Sequence, residues 1–298
     1  MNSEHGKTVT AGTMGMTAVT LIDGLRHDPR YLVAGFLTLI LIIGQVWLSF
    51  LESLGQFATA VVFSMATEIV LSRIYRRGWP NPISSYMTGV SIGILVRSPA
   101  WWPYAVGSML AISQKYAMQF RERHLFNPSN FGLCILLLAV PETVAALSKQ
   151  WTNMPGVMLF IFALGFVVIG RLGRLDVVFT YVLGFILLSL LRSTITGVPV
   201  LAELGQTLGP PFQIFIFFMI TDPRTTPSTR KGRMGYAVAV AVIEALLRLW
   251  RNQNAPFFAL LVVCPIAVIW EVLYESKGDH HHHLPGQRHG VLLKQSPL

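Results

Sequence analysis

Charge is scarce in this chain, and acidic charge most of all. Only 12% of the residues are charged, with 14 acidic against 23 basic, while 53% are hydrophobic. A soluble globular surface cannot be built from so little charge, and the mean hydropathy is that of an integral membrane protein. Cysteine is nearly absent: Cys134 and Cys264 both lie in apolar runs, which excludes a disulfide framework and a cysteine metal signature. The first 30 residues lack a basic stretch feeding an apolar core and a cleavage site, so they read as a polar cytoplasmic segment and not as a signal peptide. No nucleophile–base constellation, phosphate-cradling glycine loop or paired carboxylates supports hydrolase or transferase chemistry. The run His280 to His283 matches no structural zinc spacing, so no metal site is expected.

What the chain does have is apolar runs. They fall at 31–50, 56–75, 84–96, 102–120, 131–147, 157–170, 175–191, 201–220, 236–250 and 257–274. Several are shorter than the roughly 20 residues a simple spanning helix needs. The net charge of +9 is better explained by topology than by nucleic acid. With the N-terminus in the cytoplasm, Arg73, Arg121, Arg123, Arg171, Arg174, Arg224, Arg230, Lys231 and Arg233 all fall on the cytoplasmic side. Only Arg97, Lys149, Arg192, Arg248 and Arg251 fall outside. That split predicts about ten spans with both termini cytoplasmic, in a plasma (bacterial inner) membrane. The domain division expected is a segment over 1–30, a transmembrane domain over 31–275 and a cytoplasmic tail over 276–298.

An internal repeat agrees with that count. In both halves a short apolar segment meets a proline-containing break, and Tyr-Ala-Val then opens a helix at Tyr104 and Tyr236. Each copy continues through arginines to a turn, Asn127-Pro128 or Asn254-Ala255-Pro256. The copies are five spans apart, so they predict an all-α membrane protein made of two inverted repeats of five helices, about 31–150 and 151–275. Short or interrupted helices then meet near the midplane, where such folds place their sites.

The segment 214–233, IFIFFMITDPRTTPSTRKGR, carries the most specific pattern. With Met87-Thr88-Gly89, Ser98-Pro99-Ala100-Trp101-Trp102-Pro103 and Leu125-Phe126-Asn127-Pro128, it resembles RnfD, a membrane component of the Rnf electron-transport complex, and its relative NqrB of the sodium-pumping NADH:quinone reductase. The resemblance covers about 84–258. Asp28-Pro29-Arg30-Tyr31 looks more like the UnbU-type branch found in enediyne biosynthetic clusters. The resemblance implies a urea-transporter-like fold, flavin-linked electron transfer, and partner membrane or redox subunits. Its members attach FMN to the last threonine of a Ser/Thr-Gly-Ala-Thr motif. That motif is missing here: Thr143, Thr152, Thr196 and Thr13 all sit in other contexts. Covalent FMN is therefore not expected.

A noncovalent FMN or riboflavin site remains, with Thr88, Asn127, Ser129 and Asn130 in one half and Thr221, Asp222, Thr225 and Thr226 in the other. Arg230, Lys231 or Arg233 would meet a phosphate. The same residue types also cap helices and initiate turns without binding anything. Glu68, Lys115 and Glu244 lie within apolar runs. A Lys115–Glu68 or Lys115–Glu244 pair in a proton or cation path is one reading. Snorkelling, or a Glu244–Arg248 pair along one helix, is the other. Trp79, Trp101, Trp102, Trp151 and Trp250 read as interfacial anchors. Two further functions stay open: a transporter or channel for a small molecule, and a scaffold for partner subunits.

Overall fold

The computed structural model describes residues 29–49, 51, 53–75, 78–121, 123–146 and 155–281. The helices are α1 Pro29–Leu48, α2 Leu54–Ile74, α3 Pro82–Leu95, α4 Trp102–Ala117, α5 Pro128–Ala139, α6 Pro155–Arg171, α7 Leu175–Thr196, α8 Val200–Leu204, α9 Pro210–Ile214, α10 Arg230–Leu249 and α11 Ala255–His281. Strand, among the described residues, is confined to two short antiparallel ladders, Val96–Arg97 with Ala145–Ala146 and Gln119–Phe120 with Arg123–His124. Among the described residues, three segments are long and apolar enough to cross a membrane: Leu54–Ile74, Leu175–Thr196 and Ala255–Tyr274. Tyr31–Val46, Pro128–Ala139 and Met158–Arg171 are shorter apolar helices.

Side chains at the turns set where the helices begin. Asn81 accepts from the Ile83 amide at 3.0 Å just before Pro82, and Asn127 accepts from the Asn130 amide at 3.1 Å just before Pro128. An Asn cap followed by proline supplies an acceptor where the first amides lack one, and a residue that needs no donor there. Thr229 caps α10 through the Gly232 amide.

Three expectations are corrected. The run 201–220 is not one helix: it breaks into α8, a 3₁₀ turn Gly205–Leu208, α9 and a π-helical turn Phe215–Met219. Pro210 and Pro211 remove donors and crowd the preceding turn, so a continuous helix cannot pass. The run 131–147 stops as helix at Ala139, and Ala145–Ala146 turns back to pair with Val96–Arg97. Arg230, Lys231 and Arg233, which the sequence suggests lie with Arg224 in a polar loop between the break at 221–223 and an apolar run from Met234, belong instead to the first turns of α10, because Thr229 starts the helix there. The segment 1–28, Thr152 and the tail beyond 281 lie outside the described residues.

Packing within the two halves follows a similar order. α4 lies on α2 and α5, while α10 lies on α7 and α11. α1 touches α6, and α5 touches α11, across the halves. Phe217 of the π turn is wedged between α1 and α6, edge-on to Phe36 and Phe166. Gly165 makes room for it, since a Cβ there would come within 2.5 Å of the ring.

The α4–α5 crossing is closer still. A Cβ on Gly132 would lie 2.4 Å from the Gly107 carbonyl oxygen, a backbone atom that moves only if the helices separate. Gly132→Ala is therefore expected to destabilise the protein by about 1–3 kcal/mol, the usual range for overpacking. Thermal unfolding in detergent checks this against Gly156→Ala, where a Cβ meets nothing within 4 Å. Equal melting temperatures for the two variants would refute the tight crossing.

Candidate functional site

The loop after the π turn is built from its own sequence. The Asp222 carbonyl accepts from the amides of Thr225 and Thr226 at 3.1 and 2.9 Å, while its carboxylate accepts from the Arg224 amide at 3.0 Å. The Thr226 hydroxyl turns back onto the carbonyls of Ile220 and Asp222. Three arginines then grip three successive carbonyls. Arg123 donates to Thr226 at 3.0 Å, Arg174 to Pro227 at 3.3 Å and Arg233 to Ser228 at 2.7 Å. Arg123 also pairs with Glu271, and Arg233 with Asp176 at 2.7 Å. Residues from α6–α7, α10, α11 and the first half therefore fix this loop at one end of the molecule.

Against that loop lies a cavity of about 980 Å³. Its wall includes Glu68 and Lys115 from α2 and α4, Thr88 from α3, Asn127 and Ser129 at the start of α5, and Thr221, Asp222 and Arg224 from the loop. Trp79, Phe217 and Phe218 supply aromatic surface. Lys115 donates to Glu68 at 2.5 Å and to Ser84 at 3.2 Å, and the Tyr116 hydroxyl donates to Glu68 at 2.9 Å. An ammonium carries three protons, so these two contacts leave one for a ligand. The two halves of the chain meet in the same wall, where the Asn127 amide donates to the Asp222 carboxylate at 3.1 Å.

Of the residues expected to hold a cofactor, Thr88, Asn127, Ser129, Thr221 and Asp222 line the cavity, and so do Glu68 and Lys115. Asn130 does not: its side chain donates to the Phe257 carbonyl at 2.9 Å and ties α5 to α11. Thr225 and Thr226 are buried beneath the turn that they brace. Lys231 is exposed on the first turn of α10, away from the lining. Glu244 is not paired with Lys115. It accepts from Arg248 of the next turn at 2.8 and 2.6 Å and from the Tyr181 hydroxyl at 2.5 Å.

Several lining residues carry no distinct sequence signal. Trp79, expected as an anchor, lies at the cavity with the Arg73 guanidinium 4.0 Å over its ring. Phe217 and Phe218 read as ordinary apolar positions within a Phe-rich run.

Similarity to known proteins falls on the second half of the chain. None of the curated proteins compared matches it. The model of the NQR2, RnfD, RnfE family matches residues 154–271, a stretch that holds the π turn, the arginine-gripped loop and α10. The first-half motifs at Met87-Thr88-Gly89 and Asn127-Pro128 lie before the matched residues. Over that stretch the chain is similar to the NQR2, RnfD, RnfE family, and its apolar helices are those of a multi-pass membrane protein.

Proposed function

We propose that this chain is the flavin-holding membrane subunit of an electron-transport system, with FMN or riboflavin bound noncovalently in the cavity. The observation that carries this reading is the meeting of Asn127 and Asp222 in a wall that also holds Lys115 and the rings of Trp79, Phe217 and Phe218. An isoalloxazine ring has flat aromatic faces and an imide edge that alternates acceptor, donor, acceptor. Asp222 offers an acceptor for the imide N–H, while Lys115 and Asn127 offer donors for the flanking oxygens. Trp79, Phe217 and Phe218 offer surface to the ring. Arg224 would meet a phosphate where the ligand is FMN. Bound there, a flavin supplies one- and two-electron transfer, and the protein tunes it through the groups near its polar edge. The missing Ser/Thr-Gly-Ala-Thr string supports noncovalent binding.

The wider frame of this reading is two inverted repeats of five helices, with breaks at 96–101 and 220–229. The distribution of basic residues in the loops supports an orientation with the cavity end in the cytoplasm, in a plasma (inner) membrane. Asp28-Pro29-Arg30-Tyr31 supports service in a biosynthetic pathway of the enediyne type. Partner redox subunits would deliver and remove the electrons.

The visible spectrum of the detergent-purified protein, recorded before and after acid precipitation, tests this. A flavin spectrum released to the supernatant is expected, and Asp222→Leu is expected to lower flavin occupancy at least tenfold. Flavin kept in the pellet would overturn noncovalent binding. A colourless protein that takes up neither FMN nor riboflavin would overturn the redox reading and leave small-molecule transport through the same cavity.

A further inference from the structure

The ends of α7 and α10 farthest from the gripped loop hold a second polar cluster. Arg192 lies roughly 25 Å along α7 from Leu175 at 1.5 Å per residue, and Arg248 is similarly placed on α10. Both guanidiniums flank the Phe185 ring, at 5.9 and 5.6 Å from its centroid. Glu244 is saturated by Arg248 and Tyr181. Arg192 is only 3% exposed, and its Nη2 donates to Ser189 at 3.1 Å and to Glu203. Its Nε is buried and has no hydrogen-bond partner.

That last feature is the informative one. The side of a guanidinium that grips a carboxylate presents Nε–H and an Nη–H in parallel, and a free carboxylate fills both. Glu203 fills one. It is tethered to a five-residue helix, α8, and its carboxylate leaves half of the fork empty at a buried position. A buried donor without an acceptor is costly, and a native protein rarely leaves one without a reason.

We propose that the cluster is a second binding site, for a small organic monocarboxylate, and that Glu203 occupies it as a stand-in carried on a lid of residues 199–209. The charges agree with a single negative ligand. With Glu203 withdrawn, Arg248 and Glu244 cancel each other and Arg192 leaves one positive charge. Ser189 stands ready to share the ligand's oxygens, and Phe185 and Tyr181 give the site an aromatic wall. The lid is suited to opening. It consists of α8 and a 3₁₀ turn, both shorter than a self-stable helix, between Pro199 and Gly209. Leu201 on it is 84% exposed. The Glu203–Arg192 pair is its charged fastening to α7.

This proposal does not rest on flavin binding, and its test reads a different part of the chain. Hydrogen–deuterium exchange is followed by mass spectrometry on the full-length protein in detergent, with sodium benzoate against sodium chloride of equal ionic strength. Benzoate is expected to displace Glu203 and raise exchange across 199–209 several-fold and saturably, leaving 220–229 unchanged. Glu203→Gln is expected to raise exchange there about tenfold without benzoate and to remove the further response. Arg192→Gln is expected to abolish the benzoate response. A parent protein that does not respond to benzoate, or a response that survives Arg192→Gln, would overturn the site. An equal response to inorganic phosphate would overturn its assignment to carboxylates. If Arg192→Gln raises exchange throughout the chain, the parent and Glu203→Gln measurements decide the matter alone.

Discussion

Glu68→Met is expected to be the most destabilising single change in the cavity wall, costing about 3–5 kcal/mol, the range seen when one partner of a buried ion pair is removed. The Lys115 and Glu68 side chains are 7% and 10% exposed, and the ammonium's other partner is the Ser84 hydroxyl. Without the carboxylate, a buried charge stays behind with one neutral hydrogen bond. Lys115→Met alone leaves the opposite problem in milder form, because the Tyr116 hydroxyl still donates to Glu68. Removing both charges in Glu68→Met/Lys115→Met is expected to restore most of the loss, since a buried pair and an apolar replacement of similar volume often differ little. Denaturant unfolding of the four proteins in one detergent gives the coupling energy directly. Coupling of less than about 1 kcal/mol, the level of an exposed pair, would mean that water screens these charges. Flavin content separates stability from function. The double variant, though stable, is expected to hold less flavin than the parent, because the remaining Lys115 proton is gone.

That pair is legible in the sequence for a plain reason: a charge inside an apolar run needs a partner, and few candidates exist. Lys115–Glu68 is one of two pairings the sequence leaves open, and the geometry chooses between them. Glu244 goes instead to Arg248, four residues along the same helix, the contact that requires no tertiary information. Helix positions are legible where Asn-Pro or Ser caps open an apolar run, as at Asn81, Asn127 and Ser53. The 200–219 segment is not, because a π turn has no sequence pattern of its own. Phe215–Met219 takes that form to seat Phe217 beside Gly165, a fact of α6 and not of the local residues. The cavity's aromatic wall is hidden for a similar reason. Trp79, Phe217 and Phe218 have the same local context as anchors or core, and only the tertiary fold brings them to one cavity. The TDPRTTPSTRKGR string is conspicuous, yet its order is largely architectural. Thr225 and Thr226 brace the turn, and Arg233 grips Ser228, which leaves Thr221, Asp222 and Arg224 to line the cavity.

Asn127→Ala should have the second largest effect, because one side chain does two separate jobs. Its oxygen accepts from the Asn130 amide at 3.1 Å and the Ser129 hydroxyl at 3.0 Å, capping α5. Its nitrogen donates to Asp222 at 3.1 Å, joining the first half of the chain to the loop of the second. A lost cap costs about 0.5–2 kcal/mol, and a lost hydrogen bond to a charged group costs about 1.5–3 kcal/mol. Together they predict a loss of about 2–5 kcal/mol, with flavin binding weakened at least tenfold as Asp222 loses its orientation. Asn127→Asp separates the two jobs. Aspartate caps a helix as well as asparagine does, but it carries no donor and places a second carboxylate against Asp222. If the seam matters, Asn127→Asp should be at least as damaging to flavin binding as Asn127→Ala, despite its intact cap. If only the cap matters, Asn127→Asp should behave like the parent, and the contact between the halves would then be a neighbour of the site and not a part of it. Unfolding midpoints and flavin titrations on the three proteins decide between these outcomes. The second is the one that would remove Asp222 from the proposed flavin contacts, since the other hydrogen bond fixing the face its carboxylate presents is to the Arg224 amide of its own turn.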